Sequence, residues 1–375
     1  MRFVLFCHSL VSDWNHGNAH FLRGVARELQ WRGHEIRISE PRNGWSLTNL
    51  QKDCGDNFAE PFATAYPTLS SEFYEAASFD LDAALDGADV VIVHEWTERD
   101  FIRKLAAHRR AGGRYRLLFH DTHHRSVTAP ETMPTEELAD FDGVLAFGET
   151  IREIYLQRGW ARQVWTWHEA ADTALFRPLR SADREGLVWI GNWGDDERTR
   201  ELMEFLVEPV RALRLAADVY GVRYPQMAQD ALAAAGIAYR GYLPNPNVPA
   251  VFARHRVTIH VPRGPYARTL PGIPTIRVFE ALACGIPLVS APWSDSENLF
   301  TPGSDFLVAR DGAEMRRHLR TLINEPQYAA EIGDRGRRTV LARHSCAHRV
   351  DELLAICGEL GITSNRTEEA ECAVD

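Results

Sequence analysis

Cysteine is scarce and scattered along this chain. The six residues Cys7, Cys54, Cys284, Cys346, Cys357 and Cys372 form no Cys-x-x-Cys pair, and none stands at metal-ligand spacing from a histidine. That usage excludes a disulfide framework and suits a reducing compartment. No apolar run approaches the roughly 18 residues of a membrane-spanning helix. Residues 1–11 are apolar but have only Arg2 ahead of them and meet Ser12-Asp13-Trp14-Asn15 before any cleavage-like site, so they read as a first strand and not a signal peptide. Positive charge is also in deficit. A formal charge of −10 and a pI near 5.9 speak against a general polyanion-binding surface and against nucleic acid as a partner, although a local arginine cluster can still hold a diphosphate. Repeats of the solenoid kind are missing as well. A cytoplasmic setting is expected, with no transmembrane segment and at most peripheral membrane contact.

What is present is ordinary globular material, 45% hydrophobic and 25% charged over 375 residues, a length natural for two domains. Strand patterns at 2–8, 34–39, 89–94, 115–120, 143–147 and 163–167 alternate with helix patterns at 18–32, 98–111 and 150–158. This is a βαβ series. The stretch 40–79 mixes Pro, Gly, Asn and aromatic residues without a period and reads as a substrate-facing insertion or short helices. A second strand series follows at 187–190, 217–220, 237–240, 257–261, 287–290 and 306–308, then helices at 311–322, 327–344 and 347–360. The expected architecture is α/β, two doubly wound Rossmann-like domains facing a central cleft, with ligands beyond the strand C-termini. Its boundaries are 1–172 for the first domain and 173–345 for the second, with a last helix at 346–361. The acidic tail 362–375 is expected to be disordered.

The densest motif runs from Pro274 to Val289. Pro274 suits a first helical turn, Gly285 the position just past the helix end, and 286–290 a buried parallel strand. Ile276, Phe279, Leu282 and Ala283 share one face, while Arg277 and Glu280, three apart, can pair near the helix start. Upstream, Trp189-Ile190-Gly191-Asn192-Trp193-Gly194 ends a strand in a glycine turn whose N–H groups can approach a phosphate, and Asp195 and Asp196 can cap the helix that follows. The loop 261–272 brings Arg263 and Arg268 toward the same cleft. In the first half, Asp13, His16 and His20 flank the first strand-to-helix loop, where a near-neutral imidazole is a candidate base. His120-Asp121-Thr122-His123-His124 follows a buried strand. A metal site there is disfavoured, because adjacent loop side chains diverge, and His120 or Asp121 is expected to face the cleft instead. Glu149 is a weaker cleft candidate.

The Phe-Glu-Ala-Leu-Ala-Cys-Gly-Ile-Pro-Leu-Val segment closely resembles the donor-site helix of GT-B glycosyltransferases, in the glycosyl transferases group 1 superfamily. The segment 172–178, Asp-Thr-Ala-Leu-Phe-Arg-Pro, resembles the linker between their two domains, and the resemblance implies an acceptor-side domain at 1–172, a nucleotide-sugar-binding domain at 173–345 and a helix at 346–361 that crosses back onto the first. The resemblance implies that Glu280 holds the ribose, that Gly191, Asn192 and Arg198 lie by the diphosphate with Arg263, Arg268 and Arg277, and that Tyr242 and Leu243 form a shelf for the base. It implies His16, His120 and Asp121 as catalytic candidates, and a nucleoside-diphosphate sugar as co-substrate with no other cofactor and no metal. The sequence departs from the best-known retaining members at Gly272, where a second Glu is usual. With Arg277 ahead of Phe279-Glu280 it more closely resembles the spore-maturation CgeB-like branch. The activity so implied is metal-independent sugar transfer to a hydroxyl acceptor on a glycan, lipid or small molecule. The alternatives are a nucleotide-sugar epimerase and a non-catalytic nucleotide-sugar-binding subunit.

Overall fold

The computed structural model describes residues 1–194 and 197–362. Asp195, Asp196 and nearly all of the acidic tail lie outside the described residues, so the capping and disorder expected of them have no counterpart here. Two parallel sheets carry the fold. The first has seven strands, β1 (Arg2–Phe6), β2 (Glu35–Pro41), β3 (Glu72–Tyr74), β4 (Val90–His94), β5 (Arg116–Asp121), β6 (Gly143–Ala146) and β7 (Val164–Thr166), in the order β3-β2-β1-β4-β5-β6-β7. The second has β8 (Glu185–Ile190), β9 (Ala217–Tyr220), β10 (Ala238–Tyr239), β11 (His255–His260), β12 (Leu288–Ser290) and β13 (Leu307–Val308), in the order β10-β9-β8-β11-β12-β13. Both orders reverse beside the first strand of the set, at β1/β4 and at β8/β11. These are the switch points where doubly wound sheets open a crevice.

The central strands form because their sequences can be buried on both faces. Val90 to His94 and Leu117 to Asp121 are buried throughout, as parallel strands between two helix layers require. The stretch 40–79, which has no readable period, contains the helices Trp45–Cys54 and Glu60–Ala65 and the edge strand β3. β3 is absent from the sequence-based expectation, because three residues at a sheet edge are too short to establish an alternation. The helix that carries Arg277 and Glu280 also starts later than expected. It spans Ile276–Ala283 after an extended Thr275, so Pro274 stands outside it, while Gly285 takes the left-handed φ of +66° that ends it.

One apolar core joins the two sheets. It includes Phe21 and Leu22 of the first helix (Ala19–Trp31), Trp167, Phe279 and Val350. The Cys346–Glu359 helix lies against the first helix. Arg32 bonds Asp351 at 2.5 Å and the Ala347 carbonyl at 3.0 Å, and the Trp167 indole N–H donates to the Arg349 carbonyl at 2.8 Å. Gly24 is required at this crossing, because a Cβ there would collide with Cys346 Sγ. In the connecting segment Asp172 is held by the first domain, through an ion pair with Arg27 and a 3.0 Å bond from the Tyr66 hydroxyl. Among the described residues no helix is long and apolar enough to cross a membrane.

Candidate functional site

A cavity of about 690 Å³ lies between the sheets. Its walls come mainly from strand C-termini and the loops that follow them, after β1, β4, β5, β8, β9, β10 and β11. The same loops hold the domains together across it. Tyr242 donates its hydroxyl to Asp13 at 2.5 Å, the Asn245 N–H reaches the other Asp13 oxygen at 3.2 Å, and the Asn192 amide bonds Asn15. Asp13 also pairs with buried Arg23 at 2.8 Å. Its carboxylate is therefore committed to structure and is not free to take a proton from a substrate.

On the second-domain wall, β8 ends in the glycine turn. The turn is anchored on one side by the Gly191 N–H on the Tyr220 carbonyl (2.9 Å) and on the other by the Asn192 side-chain oxygen, which accepts from the Val222 N–H (2.8 Å). Arg198 is buried and donates to the carbonyls of Val261 (2.8 Å), Trp193 (3.3 Å) and Asn192, with its guanidinium over the Trp189 ring. Burial lowers its pKa to about 10, so it stays cationic at neutral pH while tying the loops after β8 and β11 together. Arg263 lines the cavity, paired with Glu197. Arg268 does not line it: 65% exposed, it leans toward Glu201 at 3.8 Å on the outer side of the Gly264–Thr269 helix.

Arg277 reaches the cavity and Glu280 does not. The Glu280 carboxylate is wholly buried, bonded by Arg277 on one oxygen and by the Asn245 amide (2.6 Å) on the other, with His20 Nδ1 at 3.2 Å. Burial raises its pKa. Glu280 thus acts on the cavity through Arg277 and Asn245, which stand in front of it. Gly272, where a second Glu is usual, has φ +89°, and a Cβ there would meet Glu297 at 2.6 Å. A carboxylate reaches the cavity wall from elsewhere. Glu169 accepts from Asn18 at 2.9 Å, and burial, with Glu280 nearby, raises its pKa to about 7. No motif in the sequence marks Glu169; only the folding of the connecting segment puts it there.

On the first-domain wall, His16 lies edge-on between His8 (5.4 Å) and His94 (5.7 Å). Its ring bonds the Ser9 backbone, and Nε2 is buried without a protein partner. Burial, with His8 and Arg23 near, holds this imidazole neutral and makes it a weak base, with Nε2 unengaged. His120 and Asp121 are displaced from the expected position. β5 runs one residue further than expected, and consecutive strand residues point to opposite faces of the sheet. His120 therefore packs against Trp167 (4.9 Å) and Phe21 (5.8 Å), while Asp121 accepts from the Tyr155 hydroxyl (2.8 Å) under the other layer. The residues that do face the cavity are the next three, Thr122, His123 and His124. Tyr242 and Leu243 line it, whereas Glu149 lies outside it, bonded to Thr166 at 2.6 Å. Among the described residues no three His, Cys, Asp or Glu side chains gather in a way that could hold a metal ion.

Residues 198–355 match the family model described as glycosyl transferase-like. No curated protein matches the sequence. Among solved structures, sucrose-phosphate synthase from Thermosynechococcus elongatus is 13% identical over 96% of this chain and 99% of its own, with a TM-score of 0.66. HepE from Anabaena, solved with UDP and glucose, is 14% identical over 96% and 99%, TM-score 0.66. An alpha-glucosyltransferase solved with UDP and a 13-mer DNA is 12% identical over 96% and 99%, TM-score 0.69. The chain thus has the two-domain GT-B fold of these glycosyltransferases, and its residues 198–355 are glycosyl transferase-like in sequence.

Proposed function

We propose that the protein is a glycosyltransferase that moves a sugar from a nucleoside-diphosphate donor to a hydroxyl acceptor, with no bound metal or further cofactor. The observation that carries this reading is one cavity at the switch points of two doubly wound sheets, with Arg198, Arg263 and Arg277 around a glycine turn on one wall and a neutral imidazole with an unpartnered nitrogen on the other. Arg263 and Arg277, with the turn N–H groups, suit the charge that develops on a diphosphate as the sugar C1–O bond breaks, while Arg198 holds the loops that carry them. His16 Nε2 is the unpartnered nitrogen placed to take the proton released as the acceptor oxygen bonds C1, the negative charge of the bound diphosphate offsetting the burial that weakens it as a base. In this reading Tyr242 and Leu243 flank the base, while Glu280 sets Arg277 and Asn245 against the ribose.

UDP in several structures of the same fold supports a uridine donor, and the matched family region supports sugar transfer. The Arg277-Val278-Phe279-Glu280 pattern supports the CgeB-like branch, and the free cysteines support a reducing cytoplasm. The test is UDP affinity together with turnover of a panel of UDP-sugars, in the wild type and in Glu280→Ala. Binding and acceptor-dependent turnover are expected in the wild type, with UDP affinity at least tenfold weaker in the variant. An unchanged affinity in Glu280→Ala overturns the placement of the ribose. Conversion of the donor without an acceptor identifies an epimerase, and tight binding with no turnover identifies a binding subunit.

A further inference from the structure

Among the described residues, two of the exposed large apolar side chains line the cavity, Trp45 at 46% and Trp96 at 41% exposure. Both belong to the first domain. Trp45 opens the helix after β2 and Trp96 follows β4, and these strands pair with opposite sides of β1. The two strands that precede the indoles are therefore two inter-strand spacings apart, about 10 Å. Each indole is held by its neighbours and stays more than two-fifths exposed. Arg125 lies over the Trp96 ring at 4.3 Å and His123 meets it edge-on at 4.9 Å, while Trp14 abuts Trp45 at 5.1 Å and 75°.

The polar groups beside the indoles are mostly uncharged. Burial lowers the pKa of His8 and His124 to about 4 and that of His123 to about 2, and His16 is lowered likewise, so all four imidazoles are neutral at pH 7. Arg125 is paired with the buried carboxylate of Glu95 at 3.0 Å, and Arg223 of the second domain lies over one face of the Trp45 ring at 5.9 Å, leaving the rest of each indole to the cavity. A lipid chain would need a continuous apolar lining, and a polyanion a run of cations. Flat indole faces interleaved with neutral donors and acceptors match a ring that presents C–H groups on its faces and hydroxyls on its rim.

We propose that this end of the cavity binds an uncharged oligosaccharide of at least two rings, seated against Trp45 and Trp96, and that this oligosaccharide is the acceptor. The role of acceptor rests on the transferase reading; the binding site does not.

The test is titration of the full chain, followed by tryptophan emission and calorimetry, with neutral trisaccharides of glucose, galactose, mannose and N-acetylglucosamine. A sialylated trisaccharide, a single-stranded DNA oligonucleotide and phosphatidylglycerol vesicles are the comparison ligands. At least one neutral trisaccharide is expected to bind, and its monosaccharide at least tenfold more weakly. Trp96→Ala should weaken the trisaccharide tenfold or more and Trp96→Tyr threefold or less, with UDP affinity within twofold of wild type as the check on folding. The proposal is overturned if Trp96→Ala and Trp45→Ala both leave trisaccharide affinity unchanged, or if no neutral trisaccharide binds. Binding of the charged glycan, DNA or vesicles alone counts as the latter outcome. Donor turnover without any trisaccharide binding removes this site and leaves the transferase reading standing. Tryptophan-dependent trisaccharide binding without UDP binding does the reverse.

Discussion

The Glu297 carboxylate occupies the space into which any side chain at Gly272 would project, with its Cγ and Oε1 each 2.6 Å from where a Cβ would stand. That carboxylate is engaged on both oxygens, by the Glu149 N–H at 2.8 Å and by His168 Nε2 at 2.6 Å. Gly272→Ala should therefore lower unfolding free energy by about 1–3 kcal/mol, from the φ of +89° and the displaced Glu297 together. Gly272→Glu should cost more and bring no gain in donor affinity. Denaturant titration and UDP calorimetry measure both, and a Gly272→Glu variant as stable as the wild type would refute the steric account.

Arg277 is the charged partner of the buried Glu280 carboxylate, so Arg277→Met should destabilise by about 3–5 kcal/mol. The deficit has a direction in pH. Burial raises the Glu280 pKa, and losing the cation raises it further, so the folded variant holds a proton that the unfolded chain releases above the usual carboxylate range. The loss relative to wild type should widen from pH 5 to pH 8. A deficit independent of pH would mean that Glu280 does not titrate with folding.

His120 has both ring nitrogens buried and unpartnered, and burial lowers its pKa to about 3. The unfolded imidazole takes up a proton near pH 6.5 and the folded one does not, so this residue costs stability as pH falls from about 6.5 toward 3, by up to about 1.4 kcal/mol per pH unit. His120→Phe keeps the packing on Trp167 and Phe21. It should flatten the acid limb of the stability curve by about one proton and leave UDP affinity and sugar transfer in place. Abolished transfer in a folded His120→Phe would restore this residue as a catalytic candidate.

Glu169 ionises near pH 7 beside the arginines of the cavity, so its carboxylate opposes a diphosphate above that pH and its neutral form does not. Affinity for an intact UDP-sugar, whose diphosphate does not titrate in this window, should fall severalfold from pH 6 to pH 8. Glu169→Gln keeps an oxygen for Asn18 and should bind with little dependence on pH. The same slope in the variant would assign the titration to another group.

The parts of this fold that were legible in the sequence are those with long, one-sided or fully apolar patterns. β4, β5 and the first helix are such segments, and so is the Ile276–Ala283 helix with Gly285 behind it. What was hidden depended on a shift of one residue or on distant chain coming together. The extra residue in β5 turns His120 and Asp121 into opposite helix layers. Arg198 looks like a phosphate ligand until its carbonyl partners are known, and Glu169 and Trp96 acquire a role only through the neighbours that folding supplies. Glu280 was recognisable as a carboxylate paired with Arg277 on the helix beside the cleft, but its enclosure by Asn245, from 35 residues away, was not.

The packing of the Cys346–Glu359 helix on the Ala19–Trp31 helix also orders events on the ribosome. Arg32 and Asp351, which bond across that crossing, are 319 residues apart, a separation of tens of seconds at cellular rates of synthesis. During that interval the first domain has its sheet but not the helix that packs on Gly24 and takes the Trp167 indole N–H, and with which Phe21 and Leu22 share their core. The half of the molecule made first is therefore the half that waits longest, and its exposed apolar face is where chaperone dependence and truncation damage will concentrate.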